Sequence, residues 1–210
     1  MSDMTLPEKV NNLVRWRIKS VASGLNKKTN GTLTPDTITV FSVAAHIPIA
    51  IMIALDQLLL AGVLLIVFGL FDVLDGELAR LQKSASPKGM VFDASSDRIK
   101  ETLVFSAIAY NISQTSGGEW AFLAALALGG AVSVSYAKAK SEVALALRRT
   151  DTDHHRINRY FSEGIAAFEI RTALIILGLL SGQLLLATAV VALLASVAMF
   201  ERLYVYLRKL

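Results

Sequence analysis

Long apolar stretches separated by short turns are the feature that most limits how this chain can fold. From residue 36 onward there are six of them, at 36–55, 58–81, 89–112, 119–147, 160–181 and 183–207. A helix needs about 20 residues to cross a hydrocarbon core of roughly 30 Å, and it satisfies its backbone hydrogen bonds internally. We therefore predict an all-α integral membrane protein with six transmembrane helices. The hydrophobic content of 54% agrees, since it exceeds that of an ordinary soluble domain.

A polar and basic arm, residues 1–35, precedes these stretches. In its segment 8–23 the apolar residues fall roughly on one helical face: Val10, Leu13, Val14, Ile18 and Val21. This pattern predicts an amphipathic juxtamembrane helix lying in the membrane interface, with Trp16 as its anchor. We expect this arm to be followed by a membrane domain over 36–210. We expect no cleavable signal peptide, because no apolar core region precedes a small-residue cleavage site.

Basic residues fall on only one side of the predicted topology. They lie in the arm, between Arg80 and Lys100, between Lys138 and Arg171, and from Arg202 onward, whereas the opposite turns contain none. Lys and Arg are enriched in cytoplasmic loops. We therefore predict a protein of the cytoplasmic membrane with both termini facing the cytoplasm.

Four aspartates lie at the cytoplasmic edge of the second and third stretches, within the segment DVLDGELARLQKSASPKGMVFDASSD. Asp72 and Asp75 are three residues apart, and Asp93 and Asp97 are four apart, so each pair shares one helical face. Carboxylates brought together repel one another unless protons or divalent cations compensate their charge. Oxygen-only ligands favour Mg²⁺, Mn²⁺ or Ca²⁺ over zinc or copper. The segment therefore predicts a divalent metal site that faces the cytoplasm.

Small and basic residues accompany these aspartates. Gly76 and Ala79 lie three residues apart and permit close approach of a helix or a ligand. Arg80 offers a planar set of donors that suits a phosphate or diphosphate. After the turn SASPKG, Gly89 begins the helix that returns the last two aspartates to the same place. A metal site beside an arginine indicates a phosphate ester as the substrate.

The spacing D-x2-D-G-x2-A-R-x8-G-x3-D-x3-D resembles the signature of the CDP-alcohol phosphotransferase family, also called the CDP-alcohol phosphatidyltransferase family. Every fixed position is filled: Asp72, Asp75, Gly76, Ala79, Arg80, Gly89, Asp93 and Asp97. The resemblance covers nearly the whole chain, since the family has six membrane helices, a juxtamembrane helix and a cytosol-facing site. It implies transfer of a phosphatidyl or archaetidyl group from CDP-diacylglycerol or CDP-archaeol to a polyol hydroxyl, releasing CMP, in phospholipid biosynthesis.

The resemblance also implies a role for each matched position. Two divalent ions, Mg²⁺ or Mn²⁺, would be ligated by Asp72, Asp75 and Asp93. Asp97 would complete the shell of the second ion and act as general base on the acceptor hydroxyl. Arg80 and the ions would hold the diphosphate of the lipid donor. These roles define a membrane catalytic domain over 36–210, and family members often form homodimers.

For the nucleotide, the resemblance implies a pocket lined by small residues. Room for the cytidine would be left by Gly76, Ala79 and Gly89. The segment LTPDTIT, with Asp36 and Thr39, resembles the nucleotide-contacting start of the family's first membrane helix.

The identity of the acceptor is predicted from Arg98 and from the region that begins at Ser135. Arg98, Ser135 and Lys138 resemble the branch that contains phosphatidylinositol phosphate and archaetidylinositol phosphate synthases. A wider basic pocket would suit any phosphorylated polyol: Lys138, Lys140, Arg156, Arg159 and Arg171. That branch usually has a further arginine on the fifth span where this chain has Phe168, so glycerol 3-phosphate stays an alternative to inositol phosphate.

A cation-coupled transporter is the second class of function that four intramembrane carboxylates allow. A transport relay needs polar groups across the whole bilayer depth, whereas these carboxylates gather at one edge beside Arg80 and Arg98. We therefore favour the enzyme, and we expect no nucleic-acid partner. Glu77 and Glu101 are expected to be solvated or ion-paired, and His46 and Pro48 to mark a helix kink.

Overall fold

The computed structural model describes residues 6–148 and 168–209, with side chains from 17 to 144 and from 170 to 208. Every regular element in these ranges is helical, as predicted. The described residues form seven α-helices: α1 (Leu6–Lys28), α2 (Pro35–Ala54), α3 (Leu58–Gln82), α4 (Pro87–Thr115), α5 (Phe122–Arg148), α6 (Phe168–Ser181) and α7 (Leu184–Lys209). A short 3₁₀ helix, Gly118–Trp120, precedes α5.

The predicted apolar stretches coincide with helices α2 to α7, and the described ends agree to within about three residues. Among the described residues, four ranges are long and apolar enough to cross a membrane: Pro35–Ala54, Leu58–Gln82, Gly118–Ala144 and Leu184–Arg208. Helix α4 is not among these ranges, and its first half carries charged residues such as Asp93, Asp97 and Lys100. The described apolar part of α6, Ile170–Ser181, is shorter, and residues 160–167 of that predicted span lie outside the described ranges.

Helices α2 and α4 both have a capped N-terminus. Thr34 caps α2, since the Thr37 N–H donates to its Oγ1 at 3.2 Å, and Pro35 occupies the first helical position. Ser86 caps α4 in the same way, accepting from the Gly89 N–H at 3.1 Å. The cap hydroxyl accepts a hydrogen bond from one of the N–H groups in the first turn that have no partner within the helix. The proline that follows has no N–H, which does no harm at the first helical position. Local sequence thus sets where both helices start.

The chain divides into two compact units. The first contains the described residues up to Ile49 together with Leu64–Lys100. In it, Gln82 at the end of α3 donates to Asn26 Oδ1 at 2.9 Å and to the Leu33 carbonyl oxygen at 2.8 Å. These bonds connect the C-terminal end of α3, which is predicted to face the cytoplasm, to the end of α1 and to the loop after α1.

The amphipathic pattern predicted for α1 can be compared only where its side chains are described. Ile18 and Ala22 are buried, whereas Val21 is 54% exposed. At about 100° per residue, Ala22 follows Ile18 on the side of α1 that packs against the protein, and contact of Val21 with the membrane interface stays a prediction. Val10, Leu13, Val14 and Trp16 lie outside the described side chains.

The second unit contains Ala50–Val63 and the described residues from Glu101 onward, in which α5 and α6 both pack against α7. Small residues allow these helices to approach closely: a Cβ placed on Gly130 would lie 2.8 Å from Ala195 Cβ. Asn111 on α4 donates to the Ile53 carbonyl oxygen at 3.0 Å and to Asp56 Oδ1 at 2.9 Å. These bonds fasten α4 to the turn between α2 and α3.

Gly130→Ala is expected to lower the free energy of unfolding by roughly 1–3 kcal/mol, the usual cost of overpacking. The new methyl group would also lie 2.9 Å from the Ala195 backbone carbonyl carbon, which cannot rotate away as a side chain can. Thermal unfolding in a fixed detergent measures the effect. Gly129→Ala is the matched control, because a Cβ at Gly129 meets nothing within 4 Å. Equal midpoints for the two variants would contradict a close α5–α7 contact.

Candidate functional site

The four aspartates all lie in the first unit, Asp72 and Asp75 on α3 and Asp93 and Asp97 on α4. Each pair occupies one helix at the predicted spacing. Asp72 and Asp93 are both near enough to Asp75 to interact with it electrostatically, and Asp97 interacts in the same way with Asp93. Helices α3 and α4 thus bring these carboxylates near one another, and their convergence on a common ligand stays a prediction.

Helix α2 holds the two aspartates of α3. Thr39 Oγ1 donates to Asp75 Oδ2 at 2.6 Å, and both residues are about 95% buried, with relative exposures of 4% and 5%. One turn later, Ser42 Oγ donates to Asp72 Oδ1 at 3.3 Å. The Thr39 hydroxyl also lies 3.2 Å from the Pro35 carbonyl oxygen, and its predicted contact with a nucleotide stays a prediction. Ser42 was not predicted, although Thr39 and Ser42 stand three residues apart and therefore share a helical face.

A buried lysine links the two helices that carry the aspartates. The Lys100 ammonium lies 2.6 Å from Asp72 Oδ1 and 2.8 Å from Asp97 Oδ1, and the residue is 4% exposed. Sequence reasoning missed this residue. Its position three residues after Asp97, on the same face of α4, was the signal that pointed to it. Lys100 balances part of the negative charge that the aspartates bring together.

The fit of a divalent cation can be judged from this arrangement. The donor set is chemically suitable, because four carboxylates supply only hard oxygen ligands. In the part of the chain that the structure describes, however, no three Asp, Glu or His side chains are already grouped as a metal-binding cluster. Lys100 occupies the position between Asp72 and Asp97, and Asp93 is exposed. The residues therefore fit a divalent cation in their chemistry, and Lys100 pairs with two of the four carboxylates.

Arg80 and the small residues of the motif occupy the exposed end of α3. The Arg80 guanidinium pairs with Glu77 one turn earlier, and the arginine side chain is 64% exposed. The prediction that Glu77 is solvated or paired is therefore confirmed. A Cβ on Gly76 would find no atom closer than Arg80 Nη2 at 3.7 Å. The protein thus leaves the space beside Gly76 to solvent or to a ligand.

The remaining nucleotide-site candidates differ in their surroundings. A Cβ on Gly89 would lie 3.3 Å from Ser86 Oγ, so the N-terminal cap of α4 also favours a small residue there. Ala79 is half-buried, and Asp36 is exposed in the first turn of α2. At that position Asp36 interacts favourably with the positive end of the helix dipole.

The predicted acceptor residues lie in different parts of the chain. Arg98 belongs to the first unit and is half-buried, whereas Ser135, Lys138 and Arg171 belong to the second. Ser135 Oγ donates to the Ala131 carbonyl oxygen at 3.1 Å, and Lys138 Nζ lies 3.8 Å from Glu142 Oε1. Arg156 and Arg159 lie outside the described residues, and only the backbone of Phe168 is described.

Arg171 is one of the buried charged residues of the second unit, with a relative exposure of 4%. Its Nη2 donates to Glu101 Oε1 at 3.1 Å, and the Glu101 side chain is 9% exposed. The prediction that Glu101 is paired is therefore confirmed. Breaking such a buried pair by removing one partner is costly, so Arg171 has a structural role whatever else it binds.

His46 and Pro48 lie inside α2, as predicted for the first apolar stretch. His46 is buried, and its Nδ1–H donates to the Ser42 carbonyl oxygen at 2.7 Å. This bond places His46 directly behind the serine that contacts Asp72, which gives the histidine a supporting position at the site.

An all-helical, apolar chain with paired aspartates on adjoining helices defines a class of membrane protein, and sequence comparison names it. The family model for CDP-alcohol phosphatidyltransferase matches residues 32–205, and the chain belongs to that family. The match includes all eight fixed positions of the aspartate motif and begins just before α2.

Among curated relatives, the chain is 35% identical over 151 residues to the bifunctional IPC transferase and DIPP synthase of Rubrobacter xylanophilus. That alignment covers 71% of this chain and 32% of the relative. The phosphatidylinositol phosphate synthase of Corynebacterium glutamicum is 32% identical over 113 residues, 52% of each protein. The chain thus matches between about a third and a half of the length of these relatives.

A solved structure shares the fold. The phosphatidylinositol phosphate synthase of Mycobacterium tuberculosis, crystallised with CDP-DAG bound, superposes with a TM-score of 0.75 at 22% identity. The superposition covers 90% of this chain and 92% of that protein. The same enzyme has also been crystallised in complex with manganese and citrate.

Proposed function

We propose that this chain transfers the phosphatidyl group of a CDP-linked lipid to a hydroxyl of inositol phosphate and releases CMP. The observation that carries the proposal is the set of four aspartates on α3 and α4, of which Asp75 and Asp72 are held by Thr39 and Ser42 of α2. Relatives with the names phosphatidylinositol phosphate synthase and IPC transferase support the acceptor class. In this reaction the acceptor oxygen bonds to the lipid-linked phosphorus, and the bond from that phosphorus to the CMP oxygen breaks.

The donor set supports a divalent metal, and the manganese complex of the Mycobacterium tuberculosis enzyme supports Mn²⁺ or Mg²⁺ as the ion. We propose a two-ion site held by Asp72, Asp75, Asp93 and Asp97. When bound, such ions polarise the diphosphate and stabilise the negative charge of the departing CMP. The hydrogen bonds from Thr39 and Ser42 orient Asp75 and Asp72 for this task, as outer-shell partners do in metal sites.

Asp97 and the side chains around the aspartates transfer the proton and position the substrates. Asp97 accepts the proton of the acceptor hydroxyl, the role of a general base. Arg80, already exposed, exchanges Glu77 for the diphosphate of the donor. The open space beside Gly76, with Ala79 and Gly89, receives the cytidine. Asp36, in the exposed first turn of α2, contacts the same nucleotide.

The acceptor phosphate is bound by basic and hydroxyl groups: Arg98, Ser135, Lys138 and Arg171. The Lys138 side chain is 34% exposed, so its ammonium can reach a soluble ligand, whereas Arg171 is buried against Glu101. We therefore assign Lys138 the direct contact and Arg171 mainly a supporting one. Glycerol 3-phosphate is the alternative acceptor, because the same basic groups bind any phosphorylated polyol.

We propose that the protein is integral to the cytoplasmic membrane, with six spans and with the site and both termini facing the cytoplasm. The distribution of Lys and Arg supports this orientation. The family resemblance supports a homodimer, and a division into the arm 1–35 and the catalytic domain 36–210.

The decisive experiment is CMP release by the purified full chain in lipid nanodiscs with Mg²⁺ or Mn²⁺. Donors are CDP-diacylglycerol and CDP-archaeol, and acceptors are inositol phosphate, glycerol 3-phosphate, free inositol and serine. We expect release with inositol phosphate and none after EDTA. Preference for glycerol 3-phosphate would establish the alternative acceptor, and no release with any phosphorylated polyol would refute the proposed function.

Lys138→Ala is expected to raise the KM for inositol phosphate by about tenfold or more, equivalent to ~1.4 kcal/mol of binding, and to change the lipid KM little. The physical reason is the loss of one phosphate-binding ammonium. Initial rates at varied acceptor and donor concentrations measure both constants. Lys88→Ala is the matched control, since Lys88 is an exposed lysine in the first turn of α4 and is not assigned to the pocket. Equal increases in both KM values for Lys138→Ala would contradict the assignment.

A further inference from the structure

Lys100 is a charged group at the aspartate site to which the proposed reaction assigns no role. Its ammonium is almost fully buried between Asp72 and Asp97, which lie on different helices. A buried charge is expensive unless it is paired with good geometry. Here two carboxylates pair with one ammonium at 2.6 and 2.8 Å. Lys100 therefore stabilises the contact between α3 and α4 at this point.

The same two carboxylates are proposed ligands of divalent cations. A cation bound to Asp72 or Asp97 would lie about 2.0–2.6 Å from the carboxylate oxygen. The ammonium lies 2.6 Å from Asp72 Oδ1 and 2.8 Å from Asp97 Oδ1. A divalent ion and an ammonium that share these oxygens would therefore be only a few ångströms apart, where like charges repel strongly. The two cations compete for the same carboxylates.

We propose that Lys100 is an internal counter-cation, which holds Asp72 and Asp97 together in the metal-free protein and is displaced from them when a divalent ion binds. The inference rests on the proposed metal site. The long, flexible side chain of lysine can leave the carboxylates without movement of the helix backbone. Lys100 thus positions the ligands and, because it must be displaced, lowers the affinity for the metal.

The arrangement also accounts for the lack of a preformed metal cluster among the described residues. Asp97 faces Lys100, and Asp72 is held by both Lys100 and Ser42. With these contacts in place, the carboxylates converge on the ammonium and not on a common metal position. Removal of the ammonium should therefore favour the metal-bound arrangement.

The test is Mn²⁺ binding to the full chain in detergent, measured by titration calorimetry for the wild type and for Lys100→Met. Methionine keeps most of the side-chain length and removes the charge. We expect the Kd for Mn²⁺ to fall by about tenfold, equivalent to ~1.4 kcal/mol. We also expect a lower Tm than the wild type in EDTA and a larger rise in Tm on addition of Mn²⁺. Lys88→Met, at an exposed lysine in the first turn of α4, should behave as the wild type.

Two further outcomes separate this inference from the proposed function. If the wild type binds no Mn²⁺, the proposed metal site and this inference both fail. If the wild type binds Mn²⁺ and Lys100→Met binds it equally or more weakly, only the role of Lys100 is refuted. Lys100→Arg covers the case in which the methionine variant does not fold: because the charge remains, its Mn²⁺ affinity should not exceed that of the wild type, and tighter binding would overturn the inference.

Discussion

Asp75→Asn is expected to lower the rate of CMP release on the order of a thousandfold, which corresponds to about 4 kcal/mol of transition-state stabilisation. Asp75 is 5% exposed and receives the Thr39 hydroxyl at 2.6 Å, so asparagine fits the same space and can keep that bond. The amide, however, carries no charge and is a much weaker ligand for a divalent ion. Mn²⁺ titration should show weaker binding in parallel with the loss of activity.

The matched control for this substitution is Asp56→Asn, at the turn between α2 and α3. Asp56 has a positive φ of 60°, a conformation that asparagine tolerates, and the amide oxygen can still accept from Asn111. This variant removes a carboxylate of the same kind away from the site and should keep wild-type activity. Activity of Asp75→Asn within about tenfold of the wild type would show that this carboxylate is not a metal ligand.

Asp97→Asn is expected to lower kcat by about 10²–10⁴, the usual contribution of a general base. The lipid KM should change less than kcat, because Asp97 is assigned both to the acceptor hydroxyl and to one of the ions that hold the donor diphosphate. Steady-state kinetics with varied CDP-diacylglycerol at saturating inositol phosphate separate the two constants. The structure shows two carboxylate partners for Lys100, and this variant removes the charge of Asp97 and keeps that of Asp72.

A different pattern for Asp97→Asn would change its assignment. An unchanged kcat combined with a higher lipid KM would place Asp97 in donor binding and exclude it as the base. Wild-type activity in the Asp56→Asn control, measured in the same preparation, rules out a general effect of losing a surface carboxylate.

Much of the fold could be predicted because it depends on properties local to each helix. Apolar length predicted helices α2 to α7, and the caps at Thr34 and Ser86 follow from the order of hydroxyl and proline residues. The membrane interpretation is supported for four ranges in the described residues. Charge in α4 and the short described part of α6 leave the full count of six spans as a prediction.

The sequence by itself determined which aspartates share a helical face, because a period of 3.6 residues depends on spacing alone. It also determined the family, since all eight positions of the motif are filled at matching intervals. The tertiary structure decided that Thr39 and Ser42 hold Asp75 and Asp72, and that Lys100 lies between Asp72 and Asp97. Such contacts join separate helices, so they depend on the depth and rotation at which the helices pack, and no spacing within one helix specifies these.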